Sequence, residues 1–387
     1  MKKKIKVLQV IPRLGYGGAE TGCYDLAHYL AEQDCKSFIV TSGGELLRFV
    51  KRKKVSIIRL PVHSKNPILM LFNAIAISLI ILIYNINIVH ARSRAPAWSC
   101  LIATKLTLRK FVTTFHGTYN FNNRYKKFYN SVMVKSHLVI AGSNFIFSHI
   151  NDNYQEFLSA KKTKLLVIFR GINTHYFNPL KITSAQLNKF SKQYGIDRNK
   201  FIILLPGRLT YWKGQKIFIE AIKLFNEQNN PQLFEGIILG SDQGRNVYKK
   251  QLIGLIEQYR LGKLIKIIDH FEEMPVVYRL VNLVCSCSIE PEAFGRVSVE
   301  AQSMSVPIIA SNIGGSNETI VPDKTGFLFK SGDAKDLANT ISMVIQKDYN
   351  SLQSIGSEGR KNVLKKFDVD KMCQTTFNEY KKLIKIS

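Results

Sequence analysis

The sequence predicts two consecutive α/β domains of Rossmann type, and three observations predict it. Short, nearly continuous apolar runs alternate with stretches of helical spacing, the pattern of parallel strands covered on both faces. The series is broken once, at Arg170-Gly-Ile-Asn-Thr-His-Tyr-Phe-Asn-Pro179, and then begins again. Glycine-bearing loops follow several of the strands, on the edge where open parallel sheets bind ligands. At 387 residues the chain is long enough for two cores.

In the first half the strands are expected at 5–11, 38–41, 55–60, 86–90, 111–115, 138–141 and 165–169, with a helix at 20–31. The apolar stretch 68–89 has the length of a membrane span, but Asn73, Ser78, Asn85 and Asn87 interrupt it. It reads as a buried helix to about residue 83 and a short buried strand after it. A helix apolar all round also suits contact with a bilayer surface. Beyond the break, a polar helix at 184–194 precedes strands at 201–205, 236–239, 265–268, 281–284 and 306–310. Helices are expected at 215–226, 247–259 and 334–346, and two polar-faced helices over 351–386. The domains are placed at 1–178 and 179–365, with a last helical segment at 366–387.

The net charge is +27, and its distribution is uneven. Residues 1–178 hold 26 Lys and Arg against 7 Asp and Glu, whereas residues 179–387 hold 29 against 21. No acidic residue occurs between Glu45 and Asp152. Such an excess attracts polyanions. The basic half has no zinc-finger spacing, no RNP-like aromatic pattern and no helix-turn-helix, so nucleic acid is disfavoured as the partner. Anionic lipid headgroups remain, facing clusters such as Lys51-Arg-Lys-Lys54, Arg124 to Lys127 and Lys161-Lys162. Taken singly, each cluster is an ordinary solvated face.

The six cysteines have no metal spacing; Cys285 and Cys287 alternate along a strand and read as neighbouring buried thiols. Met1-Lys-Lys-Lys-Ile5 passes into a strand too soon for a signal peptide. A reducing cytoplasm fits both features.

The densest motif is Ser288-Ile-Glu-Pro-Glu-Ala-Phe-Gly-Arg-Val-Ser-Val-Glu-Ala-Gln302, between two apolar strands. Pro291 and Gly295 delay the helix, so Glu292 sits in the loop and Glu300 on the helix behind it. Two carboxylates arranged in this way suit the paired hydroxyls of a sugar or ribose. As single residues they would serve a helix N-terminus. Four further strand-end loops carry polar or glycine-rich chemistry. Gly15-Tyr-Gly-Gly-Ala-Glu20 opens a helix, where backbone N–H groups approach an anion closely, although a tight turn accounts for the same glycines. Thr113-Thr-Phe-His-Gly117 ends a strand with His116, which alone reads as a plain loop histidine, and Pro206-Gly-Arg-Leu-Thr-Tyr-Trp-Lys-Gly214 offers Arg208 and Lys213 as a diphosphate clamp, although two cations in a loop are mostly surface. His90-Ala-Arg-Ser-Arg94 puts Arg92 and Arg94 after another strand, where an anionic acceptor would meet them.

The spacing Glu-x-Phe-Gly-x-x-x-x-Glu-Ala resembles the signature of the retaining glycosyltransferases of family 4, which have the GT-B fold of two facing Rossmann-like domains and a central cleft. Gly-Arg-Leu-x-x-x-Lys-Gly is a second match, and the loops around Gly17, His116, Gly240 and Gly314 follow in the expected order. Over nearly the whole chain the resemblance implies transfer of a hexose-type sugar from a nucleotide-sugar to an acceptor hydroxyl, with retention and without a metal or other cofactor. It implies that Glu292 contacts the donor sugar, Glu300 the ribose, Arg208 and Lys213 the diphosphate, and His116 the donor sugar. Gly17, Gly18, Gly240, Phe294 and Gly295 are expected around the donor, and Glu20, Arg92 and Arg94 on the acceptor side. Leu239-Gly-Ser-Asp-Gln-Gly244 departs from the family's shorter glycine loop, which puts its individual contacts in doubt. The last helix is expected to return to the first domain. Asp368-Val-Asp370 has the spacing of a metal-dependent transferase motif of another fold, but sits among lysines before the last helix and reads as a cap.

The strings Glu290-Pro-Glu-Ala-Phe-Gly-Arg-Val297 and His90-Ala-Arg-Ser-Arg94 resemble bacterial members that build lipopolysaccharide or other surface polysaccharides. With the basic first half, the acceptor is expected to be a lipid-linked glycan at the anionic inner leaflet of the cytoplasmic membrane, where the enzyme would be peripheral. Two rivals are a GT-B sugar-nucleotide epimerase and a non-catalytic basic module for lipid or nucleic acid. The epimerase would need acid/base carboxylates where residues 46–151 have none. The basic module leaves the Arg208/Lys213 and Glu292/Glu300 sets without a purpose.

Overall fold

Parallel strand pairing organises both halves of the chain. The computed structural model describes residues 4–159, 163–228, 234–244 and 246–385, so the Lys161-Lys162 cluster lies outside the described residues. Two compact units result: Met1–Gly171 with Val369–Ser387, and Ile172–Asp368. The chain passes between them at Gly171–Ile172 and again at Asp368–Val369.

Unit 1 contains β1 (Lys6–Val10), α1 (Gly18–Glu32), β2 (Lys36–Thr41), β3 (Val55–Arg59), α2 (Pro67–Tyr84), β4 (Ile88–Ala91) and α3 (Arg94–Leu106). It continues through β5 (Lys110–Phe115), α4 (Arg124–Asn130), β6 (Leu138–Ala141), α5 (Asn144–Ser159) and β7 (Lys164–Val167). The sheet order is β3-β2-β1-β4-β5-β6-β7, parallel throughout. Unit 2 contains α6 (Ser184–Tyr194), β8 (Phe201–Pro206), α7 (Gln215–Gln228), β9 (Phe234–Leu239), α8 (Asn246–Gln258), β10 (Ile265–Ile268) and α9 (Met274–Leu280). It continues through β11 (Leu283–Ser286), α10 (Arg296–Ser303), β12 (Ile308–Ser311), α11 (Ser316–Thr319), β13 (Phe327–Phe329), α12 (Ala334–Ile345) and α13 (Tyr349–Lys366). Its order is β10-β9-β8-β11-β12-β13, again parallel. These are Rossmann-like domains with helices interleaved, as the alternating pattern predicts.

The strands are apolar because helices cover both faces; all six residues of β9 are buried. The core of unit 2 joins Ile203, Leu205, Phe218, Phe234, Ile238 and Leu283, with Cys285 and Cys287 inside it. Burial and the neighbouring Cys285 push the Cys287 thiol well up, so Cys287 packs as a neutral thiol.

Three features depart from the sequence reading. Strand ends differ from expectation by up to two residues; β11, for one, starts at Leu283 because Val281 is taken as the C-cap of α9. Helices α3, α4, α5, α9 and α11 and strand β13 were not legible: α3 carries a proline in its first turn, α4, α9 and α11 are seven residues or fewer, and β13 is only three residues long. The third concerns α2, expected as a buried helix. Its limits follow from Asn66, whose side chain accepts from the N–H groups of Ile68 and Leu69, and from Asn85, left-handed at φ 50°. Yet only Asn73, Ala74, Ile77 and Ile81 are buried. Met70, Ala76, Ser78 and Ile80 are half-buried, and the rest of this apolar helix faces outward.

Helix α14 (Val369–Lys385) belongs to unit 1. Val369, Cys373 and Tyr380 complete a core with Val7, Leu26, Ile88 and Val112. Tyr380 is fully buried, and its hydroxyl lies 2.6 Å from His90 Nδ1. Replacing Tyr380 with Ala is expected to cost about 3–5 kcal/mol of stability, as truncation of a buried aromatic does. Tyr380→Phe, which keeps the ring, should cost only about 1 kcal/mol. Urea unfolding of the two variants checks this, and equal losses would mean that the hydrogen bond, not the packing, holds α14.

Candidate active site

Each sheet reverses its strand order once, and the polar residues gather at those reversals. In unit 2 the chain leaves β8 for β9 on one side and returns as β11 on the other. The loops after β8 and β11 therefore border one crevice at the carboxyl edge. Lys213 ends a 3₁₀ turn, Tyr211–Lys213, in the first loop, and Glu292 lies in the second. Lys213 Nζ donates to Glu292 Oε1 at 2.7 Å, and Ser288 Oγ donates to the same oxygen at 2.5 Å. The two charged side chains are only 13% and 10% exposed, which makes this a buried pair. Oε2 of Glu292 has no partner among the described residues and is left to accept from a ligand hydroxyl.

Burial acts to raise the Glu292 carboxyl. The Lys213 ammonium, its hydrogen bond, the Ser288 hydroxyl and the Arg208 charge outweigh it and hold the carboxyl below its ordinary value. Arg208 is exposed at the same edge. Its guanidinium lies 5.9 Å and the Lys213 ammonium 4.5 Å from the Trp212 ring centroid. Two cations over an indole, beside one compensating carboxylate, form a site that attracts a further anion.

Glu300 stands behind this pair on α10. Tyr278 Oη donates to its Oε2 at 2.9 Å and Arg296 Nε to its Oε1 at 2.6 Å. The tyrosine and the arginine fix the carboxylate plane. Gly295 caps α10 at φ 81°, and a Cβ there would meet Ser316 Cα at 3.0 Å. Phe294 does not offer its ring to a ligand: it is buried, 5.6 Å from the Phe367 ring. Gly240 serves close backbone approach, because a Cβ there would lie 1.8 Å from the Gly207 carbonyl oxygen. That contact aligns the loop after β9 with the Arg208 loop. The longer insert around Asp242 folds on itself, with Gly244 N–H donating to Asp242 Oδ1 at 2.9 Å. Asp368 is engaged by Thr174 Oγ1, which donates to its Oδ2.

In unit 1 the reversal lies between β1 and β4. Arg92, buried after β4, donates through Nε to Gln9 Oε1 on β1 at 2.8 Å. A small cavity here is lined by Gly22, His90, Arg92, Thr114, His116 and Arg170, with other residues. Arg170 Nη1 lies 2.7 Å from His116 Nδ1. Burial, then Arg170, Arg92 and His90, hold the His116 pKa well below the usual imidazole range. A neutral ring accepting at Nδ1 carries its proton on Nε2, and Nε2 is buried without a partner among the described residues. His116 is thus a hydrogen-bond donor and not a base. His90 is held between Tyr380 Oη and Thr114 Oγ1, at 2.6 and 2.7 Å, and burial with Arg92 likewise keeps it neutral.

The other residues singled out in unit 1 divide in two. Gly17 and Gly18 open α1, with the Glu20 carboxylate folded back over Gly17 and Arg170 beside Gly18. Arg94 is turned to packing: Nη1 donates to Asn130 Oδ1 at 2.9 Å, and the guanidinium lies 4.5 Å from the Tyr119 ring centroid. Sequence reasoning gave no role to Gln9, Arg170, Trp212, Tyr278, Ser288 or Arg296. For Arg170 a signal was present, an arginine directly after an apolar strand, but it lay within the break between the domains.

Two predictions follow from this geometry. A depressed carboxyl stabilises the fold fully above its unfolded value of ~4.3, and the gain is lost as pH falls through the folded value. The wild-type urea midpoint should therefore drop further than that of Glu292→Gln between about pH 6 and about pH 3. Lys213→Met, which strands the carboxylate, should cost on the order of 3 kcal/mol at neutral pH.

Family descriptions match both halves of the chain. The description "Glycosyl transferases group 1" matches residues 187–362, and "Glycosyltransferase Family 4" matches residues 16–176. A glycosyltransferase crystal structure from Rickettsia africae ESF-5 is 37% identical, with a TM-score of 0.90 over 99% of this chain and 100% of that one. HepE of Anabaena, crystallised with UDP and glucose, shares the fold at 22% identity and a TM-score of 0.81, over 98% and 100% of the chains. CapM of Staphylococcus aureus, a capsular polysaccharide biosynthesis glycosyltransferase, is 28% identical over 59% of this chain and 58% of its own length. This chain spans about half the length of the curated relatives it matches.

Proposed function

This chain belongs to glycosyltransferase family 4, with the GT-B fold, and we propose that it moves a hexose-type sugar from a nucleotide-sugar to a lipid-linked or lipopolysaccharide-core glycan. The observation that carries this reading is the buried Lys213–Glu292 pair with Arg208 beside it at the strand reversal of unit 2. A departing nucleoside diphosphate gains negative charge as the glycosidic bond breaks, and fixed cations lower that barrier. In this reading Arg208 and Lys213 neutralise the diphosphate, Glu292 Oε2 accepts from a donor-sugar hydroxyl, and Glu300 accepts from the ribose. His116 donates from Nε2 to the sugar. The leaving phosphate itself assists attack from the same face, which gives retention, and the two cations take the place of a metal.

A polysaccharide pathway is supported by the likeness to CapM, and a lipid-linked acceptor by the excess of basic residues in the first half. The enzyme is then peripheral on the inner face of the cytoplasmic membrane, meeting its acceptor at the anionic surface.

The test is nucleoside diphosphate release across a panel of nucleotide-sugars, with EDTA and with or without bacterial lipid extract. Release from one donor, unaffected by EDTA, raised by the extract and lowered at least ~100-fold in Glu292→Ala is expected. Turnover lost on chelation would sink the metal-free mechanism. Independently, His116→Ala should lower kcat by roughly tenfold or more, while the wild-type kcat/KM profile shows no break near the ordinary histidine value of ~6.5. A break at that value that disappears in His116→Ala would instead make His116 an acid or base.

A further inference from the structure

We propose that the outward stripe of α2 is a membrane-docking surface that enters the interfacial layer of an anionic bilayer. Ile68, Leu71, Phe72, Ile75, Leu79 and Leu82 recur at helical spacing along one side, and their exposures run from 52% to 78%. A helix on a water-facing surface normally shows its polar residues outward. Here the order is inverted. Asn73 is turned inward, donating through Nδ2 to the Pro61 carbonyl at 3.1 Å, while the apolar side chains face out. Helix α3, which packs against α2, also exposes Leu106, and Leu108 follows in the turn beyond it at 90% exposure.

The charges around the patch say what covers it. No Lys, Arg, Asp or Glu occurs between Lys65 and Arg92, so the stripe itself is uncharged. Its ends are cationic. Lys65 precedes the first turn, Lys6 Nζ donates to the Tyr84 carbonyl at 2.7 Å, and Arg109 Nη2 donates to Asn85 Oδ1 at 3.0 Å. Over residues 46–151 there are sixteen Lys and Arg and no acidic residue. An apolar stripe rimmed by cations matches acyl chains beneath anionic headgroups. A second copy of the chain would instead bring two cationic rims together, which opposes pairing.

The same packing rules out a span, although the helix is long and apolar enough for one. Asn73, Ala74, Ile77 and Ile81 are committed to the protein interior, and Ser99 Oγ donates to the Met70 carbonyl at 2.8 Å. Lipid can reach one side only, so the helix lies in the plane of the interface. None of these residues is among those assigned to sugar transfer.

The experiment is flotation of the full chain with phosphatidylglycerol/phosphatidylcholine vesicles and with phosphatidylcholine alone, for wild type and a combined Leu71→Ser, Ile75→Ser, Leu79→Ser variant. Wild type should float with the anionic vesicles and lose part, not all, of its binding at high salt, since screening weakens only the charge component. The variant should bind at least roughly tenfold less while still melting in one cooperative transition, because the replaced side chains are more than half exposed. Donor hydrolysis in lipid-free buffer should be equal in the two, which separates this inference from the proposed activity. It is overturned if wild type ignores anionic vesicles, or if the variant floats as well as wild type. Sedimentation as a dimer that the variant dissolves would overturn it too, by making a second copy the occupant.

Discussion

Because every strand in both sheets runs the same way, all the strand ends that deliver ligand-facing loops fall on one edge of each sheet. Where the strand order reverses, the connecting helices leave on opposite faces and a crevice opens between neighbouring loops. In unit 1 that place is between β1 and β4, and in unit 2 between β8 and β11. The polar side chains of greatest chemical interest sit at these two reversals. The Lys213–Glu292 contact spans one of them, and the Arg92–Gln9 contact spans the other. Backbone topology, not any property of the individual residues, brings positions 79 and 83 apart in sequence within a hydrogen bond.

The two crevices use opposite electrostatics. Unit 2 places a carboxylate against a lysine, with an arginine near, so each charge is partly compensated before a ligand arrives. Buried pairs of this kind add little net stability, and leaving one partner alone is costly. The pair is better understood as holding Lys213 and Glu292 in fixed positions. Unit 1 instead gathers Arg92, Arg170 and His116 around a cavity, and buries two imidazoles that burial and the arginines keep neutral. A site so arranged offers hydrogen-bond donors whose protonation does not vary across the physiological range.

Helix α2 shows a different use of apolar surface. Folding alone would favour burying its leucines and isoleucines, each worth about 1.5–3 kcal/mol when removed from water. The chain leaves that gain unrealised and spends the inner face on alanine, asparagine and two isoleucines. A contiguous apolar patch on a structure this basic is characteristic of contact with something other than water.

From the sequence by itself came the two parallel α/β domains, nearly every strand, and the loops that carry Glu292, Glu300, Arg208, Lys213 and His116. Those are local properties: apolar period, glycine and proline punctuation, and the order of motifs along the chain. Tertiary structure decided the rest. Whether α2 is inside or outside depends on which faces α3 and the sheet can cover, since a uniformly apolar helix has no periodicity to state a preference. Arg94 and Phe294 belong to motifs, yet pack against Tyr119 and Phe367, because a side chain's partner is chosen by the fold around it. Arg170, Gln9, Tyr278 and Ser288 joined the sites through contacts across strands and loops that no local spacing encodes. The protonation of His116 was the least legible feature of all, since it follows from burial beside Arg170, 54 residues away.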